Sequence, residues 1–166
     1  MIAGASLGAA VAVAVAVAAR QVRDLFPFCG FARRRTTLWL CPETWASLHS
    51  RRDDELNAFL TSLSFSEDYL AAHTPEAARH PDRLAGGIRA WNRPPDRPGL
   101  GVDIRGDLAA VTAPTLIVAA TGDRFVAPEH SLELADAIPG ARLAAVRVGH
   151  AASSARPWRR CPVYCP

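Results

Sequence analysis

At 166 residues and 17.8 kDa the chain has room for one ordinary domain. Hydrophobic residues make up 49% and charged residues 21%, which excludes collagen-like and wholly disordered chains and predicts a packed core. The net charge of +3 sets 19 basic residues, all arginine, against 16 acidic ones; Arg33-Arg34-Arg35, Arg51-Arg52 and Arg159-Arg160 lie far apart, so no clustered basic face argues for nucleic acid.

Met1 to Ala19 carries no charge and is mostly Ala and Val. A signal peptide places basic residues ahead of its apolar stretch, whereas the first arginine here is Arg20, behind it. A membrane span of Ala and Val is only marginally apolar, so a small membrane-anchored protein is the lesser reading; the greater is a helix over Ala9 to Ala19, covered by other elements and closed by Arg20. Val22 to Cys29, with Leu25, Phe26 and Phe28, predicts a short strand interrupted by Pro27 and ending at Gly30. From Pro42 to Pro98 the period becomes helical. Leu56, Phe59, Leu60 and Leu63 fall at i, i+3, i+4 and i+7 behind Asp53-Asp54-Glu55; Phe65, Tyr69 and Leu70 accompany a start at Ser66; and Pro75 opens a third helix. Asn92 to Gly101 holds three prolines and two glycines and reads as a loop.

After a short helix from Asp107, the run Thr115 to Ala119 predicts a buried parallel strand. Thr121-Gly122-Asp123 follows it, and Pro128 opens a helix carrying Leu132, Leu134, Ala135 and Ile138 that stops at Pro139-Gly140. A second run, Leu143 to Val148, ends in Gly149-His150, completing a βαβ unit of an open α/β sheet. Ligands of such sheets sit outside the carboxyl ends of the strands, where Asp123 and His150 both fall. At the start of the chain Gly4-Ala5-Ser6-Leu7-Gly8 matches G-x-S-x-G ahead of an apolar helix, a pattern whose small residues permit a sharp strand-to-helix turn. A serine hydroxyl is a poor nucleophile without a base poised near pH 7; His150 meets that need, an ionised Asp123 would hold its tautomer, and the Leu7 N–H would face a developing oxyanion. Each residue also has a plain structural reading: Ser6 as a packing serine, Asp123 as a turn residue or helix cap, His150 as a loop histidine.

The order Ser6, Asp123, His150, with Ala113-Pro114-Thr115-Leu116-Ile117-Val118 leading to Gly122-Asp123-Arg124-Phe125-Val126 and with Leu134 to Ala141, resembles the α/β-hydrolase fold family in its capped form. The resemblance implies an α/β fold: a partial parallel sheet with a helical cap. The expected divisions are a core segment over 1–41, the cap over 42–101, a C-terminal βαβ core over 102–152 and a divergent tail over 153–166. It further implies Ser6 as nucleophile, His150 as general base and Asp123 as its orienting acid, acting on an ester, lactone or thioester of a small-molecule substrate through an acyl-serine, with no metal or organic cofactor. A serine at the elbow argues against the dehalogenases and epoxide hydrolases of the fold, which carry aspartate there.

The four cysteines, Cys29, Cys41, Cys161 and Cys165, form no C-x-x-C pair, and free thiols in a reducing, cytoplasmic setting are expected. His150 with Cys161 and Cys165 offers three loosely spaced ligands and no fourth, a poor zinc site. His49, His73, His80 and His130 are expected at the surface. Only Met1-Ile2-Ala3 precede the elbow, and three prolines in the last ten residues forbid a regular helix there. The expectation is therefore a hydrolase fragment with an altered end, impaired as a catalyst and prone to self-association through an uncovered sheet edge. The alternative is a non-catalytic remnant that depends on a partner.

Overall fold

The computed structural model describes residues 1–19, 21–49, 53–78 and 101–153. Four strands, β1 (Ile2–Ala5), β2 (Leu25–Phe28), β3 (Leu116–Ala120) and β4 (Arg142–Val146), form one sheet in the order β1-β2-β3-β4, and every pairing is parallel. β1 pairs in register from Ile2 with Leu25 to Ala5 with Phe28, and β3 from Leu116 with Arg142 to Ala120 with Val146. The central pairing of β2 with β3 is held by the Leu25 N–H on Pro114 O and the Cys29 N–H on Val118 O, both at 2.9 Å. Pro27 sits inside β2, in register with Gly4 of the neighbouring strand.

Two helices pack into one core on the same face of the sheet. These are α1 (Leu7–Ala18), following β1, and α6 (Glu129–Ala137), between β3 and β4. Val13 and Ala16 of α1, Leu134 of α6 and the adjoining Ile138 meet Leu25, Leu108, Val111 and Ile117 there. The other face gathers Phe26, Phe28, Val118 and Ala120. Burial of this apolar surface is the dominant favourable term, at roughly 25 cal/mol per Å².

α1 departs from the expected all-round burial. Ala9, Ala10, Ala12, Val13 and Ala16 are buried, yet Leu7, Val11 and Val15, spaced at i, i+4 and i+8, are 41%, 56% and 39% exposed. Among the described residues β1 is an edge strand, so nothing extends the sheet beneath that stripe. Also among them, no helix is long and apolar enough to cross a membrane.

Between β2 and β3 the chain forms α2 (Thr36–His49), α3 (Asp53–Ser64), α4 (Glu67–Ala71) and α5 (Pro75–Ala78), followed by a 3₁₀ turn over Arg105–Ala110. The helical stretch begins at Thr36, ahead of the composition change at Pro42. On α3, Leu56 and Leu60 are buried with Trp45 of α2, and Phe59 and Leu63 are half-buried. Ser66 caps α4 through its hydroxyl on the Tyr69 N–H. The expected loop at Asn92 to Gly101 and tail over 153–166 lie largely outside the described residues.

Candidate active site at the carboxyl edge of the sheet

Ser6 occupies the turn from β1 into α1 with φ 54° and ψ −124°, a left-handed backbone rarely adopted by a residue with a side chain. Such a conformation costs about 1–3 kcal/mol and persists only where its surroundings hold it. The Ser6 N–H donates to Phe28 O of the neighbouring strand, and Ser6 O accepts from the Ala9 N–H, both at 3.0 Å. Gly4 explains why the sequence is so small here: a Cβ on it would lie 2.0 Å from Gly8 O, so strand and helix approach closely only because that position is bare. The Ser6 hydroxyl does not cap α1, and the helix has no acidic residue in its first turn. Leu7 is the first residue of α1, so its N–H belongs to the turn that the elbow exposes.

Asp123 and His150 come together after β3 and β4. Asp123 Oδ1 accepts from the Phe125 and Val126 N–H groups at 2.8 and 2.7 Å, and Oδ2 meets His150 Nδ1 at 2.6 Å. Both side chains are sealed from solvent. A carboxylate only accepts, so the contact assigns the proton to Nδ1 and makes Nε2 the basic nitrogen of the neutral ring. Phe125 lies against the imidazole with ring centroids 5.1 Å apart.

The helical segment touches this edge where glycines allow it. A Cβ on Gly149 would sit 2.5 Å from Ser64 O and Ser66 N, so the α3–α4 junction rests directly on the residue before His150. Nearby the Arg124 N–H donates to Leu63 O, and the Arg124 side chain pairs with Glu67. A cleft of about 570 Å³ runs between Phe65, Tyr69 and His73 on one side and Val148 and Ala152 on the other. Ser6, Asp123 and His150 do not line it.

The expected residues thus separate into a bonded pair, Asp123 and His150, and a strained Ser6 at the same sheet edge. Between them lies a residue read from sequence only as a free thiol. Cys29 ends β2, has φ 38°, and is buried. Its Sγ, an Asp123 carboxylate oxygen and a His150 ring nitrogen all lie within 4.8 Å of one another. This is a sulfur, oxygen and nitrogen donor set of the kind that holds a soft divalent cation. Burial and then the Asp123 charge push the Cys29 thiol well up, however, and a protonated thiol is a poor metal ligand. Cys161 and Cys165 lie outside the described residues.

The histidine expectations fare unevenly. His130 is buried at 2% exposure, against the expected surface position. It lies one turn before Leu134 on the inward face of α6, edge-on to Phe31, while Leu132, two positions off that phase, is exposed. Burial, and then Arg35, hold its imidazole below the usual histidine range. His73 is half-buried, stacked on Tyr69 and bonded to Tyr69 O at 2.7 Å.

No family model matches the chain, and no curated protein matches it in sequence. Solved structures do match. An α/β-hydrolase enzyme, MGS-M2, from a Medee basin deep-sea metagenome library is 18% identical with a TM-score of 0.74, over 91% of this chain and 58% of its own. A hydrolase from Pseudomonas aeruginosa PA01 is 26% identical with a TM-score of 0.65, over 90% and 57%. The enol-lactonase from Burkholderia xenovorans LB400 is 20% identical with a TM-score of 0.65, over 90% and 58%. The chain therefore spans somewhat over half the length of the structures it matches. Its parallel sheet and flanking helices superpose on theirs, and the chain has the α/β-hydrolase fold over the part that it spans.

Proposed function

We propose that the chain belongs to a serine hydrolase acting on carboxylic ester, lactone or thioester bonds of a small molecule. The observation that carries this reading is the strained Ser6 at the sheet edge that also holds the buried Asp123–His150 pair. Ser6 Oγ attacks the carbonyl carbon while its proton passes to His150 Nε2. The Leu7 N–H stabilises the oxyanion, and Asp123 stabilises the imidazolium through Nδ1–H. Collapse of the tetrahedral intermediate expels the alcohol, thiol or ring oxygen with the proton from His150 and leaves acyl-Ser6. Water, deprotonated by His150, then attacks the acyl carbon and releases the acid. The α3–α4 helices serve as a cap over the substrate. That the structural neighbours include an enol-lactonase and an acetylester hydrolase favours this range of bonds.

A second reading, in which the chain alone is a weak catalyst or works only with a partner, draws on the β1 edge, which no described strand pairs, and on the exposed stripe of Leu7, Val11 and Val15 beside the elbow. An exposed apolar stripe on an open edge favours association, and a displacement of the serine by about 1 Å costs about 10²-fold in rate. The test is turnover of short-chain nitrophenyl esters by the 166-residue chain beside Ser6→Ala. Slow hydrolysis that Ser6→Ala abolishes supports both the chemistry and the impairment; hydrolysis indifferent to Ser6→Ala overturns the assignment of Ser6, and Ser6-dependent rates at the ordinary enzyme level of about 10 s⁻¹ overturn the impairment.

A further inference from the structure

We propose that Cys29 is a positioning residue for the Asp123–His150 pair, its S–H donated to the Asp123 carboxylate and its backbone fixing that contact beside Ser6. The proposal rests on the hydrolase reading for its purpose but not for its geometry.

Three observations carry it. The first is location. The Cys29 N–H donates to Val118 O of β3, and the preceding Phe28 O accepts the Ser6 N–H from β1. Cys29 is thus tied to the strand that delivers the serine and to the strand that delivers the acid. The second is the accounting of lone pairs on Asp123. An ionised carboxylate offers about four acceptor positions. Phe125, Val126 and His150 fill three of them. The thiol lies within 4.8 Å of the carboxylate and is 1% exposed, so it is placed to fill the fourth where water is excluded.

The third is backbone strain. At φ 38° a glycine would sit without penalty, whereas a cysteine is strained. A side chain kept at such a position is explained by its surroundings, and this one lies within 4.8 Å of both Asp123 and His150. The thiol's raised pKa agrees, because it keeps the proton on sulfur and so keeps Cys29 a donor rather than a nucleophile. The consequence is a carboxylate held from all sides, so that the imidazole it orients does not turn away from the serine.

The test reads the His150 Nδ1 proton by NMR on the 166-residue chain carrying ¹⁵N-histidine, in the parent and in Cys29→Ser, Cys29→Ala and Cys29→Gly. Serine keeps a donor, alanine removes it, and glycine removes it while relieving the strain. The expected result is an unchanged exchange rate in Cys29→Ser and roughly fivefold faster exchange of that proton with water in both other variants. Equal exchange in the parent and Cys29→Gly would overturn the proposal, as would equal loss of protection in Cys29→Ser and Cys29→Gly. The Ser and Gly variants decide the matter alone if Cys29→Ala does not fold. Labelling of Ser6 by a fluorophosphonate is followed in parallel: its absence in the parent counts against an active Ser6 in the chain alone and leaves the proton comparison standing.

Discussion

The units β1–α1–β2 and β3–α6–β4 are the same motif built by different means. In the first, α1 carries no charged residue in its first or last turn, and it is seated by the close approach that bare Gly4 allows. In the second, α6 begins with Glu129, and Glu133 within it pairs with Arg35 at 3.1 Å and Arg33 at 3.6 Å. The loop before it is fixed by three hydrogen bonds to Asp123. Shape holds Ser6, and polar bonds hold Asp123 and His150. The two halves should therefore fail under different insults, bulk in one and loss of charge in the other.

Asp123→Asn is the largest insult to the polar half. The asparagine oxygen still accepts from Phe125 and Val126, but its amide then faces His150 and imposes the wrong tautomer. Turnover of nitrophenyl esters is expected to drop about 10⁴-fold with the fold retained; a loss under tenfold would show that the pair does not serve the serine. Gly4→Ala is the matching insult to the steric half. Its Cβ meets Gly8 O at 2.0 Å, and the urea midpoint is expected to fall by the equivalent of about 3 kcal/mol.

Acid should act on the second half through His130. Burial lowers its proton affinity from the ordinary 6.5 in the folded chain, so on acidification the unfolded chain takes up the proton first. Stability is then full above about 6.5 and declines below it. His130→Leu is expected to flatten that decline, read as urea midpoints between pH 7 and 5. Gly8→Ala should have the smallest effect and the opposite sign. A Cβ there meets nothing within 4 Å, so better helix propensity should raise stability by about 0.5–1 kcal/mol.

The sequence made both units legible because each couples a periodic apolar pattern to punctuation: G-x-S-x-G before α1, Pro128 and Pro139-Gly140 around α6. The edge position of Asp123 and His150 followed from strand ends, and that of Ser6 from the G-x-S-x-G turn. Cys29 could not be read this way. No motif surrounds it, and a positive φ at a cysteine leaves no trace in composition. His130 was legible in principle, since Leu134 and Ile138 set the phase of α6 and His130 falls four residues earlier. Leu132, two positions off that phase and 46% exposed, obscures it. The exposed stripe on α1 is illegible for a different reason: an Ala/Val helix is alike on every side, so its own sequence does not say which side is covered.

In the proposed reaction Ser6 is the residue which the Asp123–His150 pair activates. Mapping fluorophosphonate modification by peptide mass on the 166-residue chain, beside His150→Ala, tests it most directly. Adduct is expected on the peptide bearing Ser6, at a rate that falls at least about 10²-fold without the imidazole. Adduct elsewhere, or at Ser6 with the same rate in His150→Ala, would contradict it.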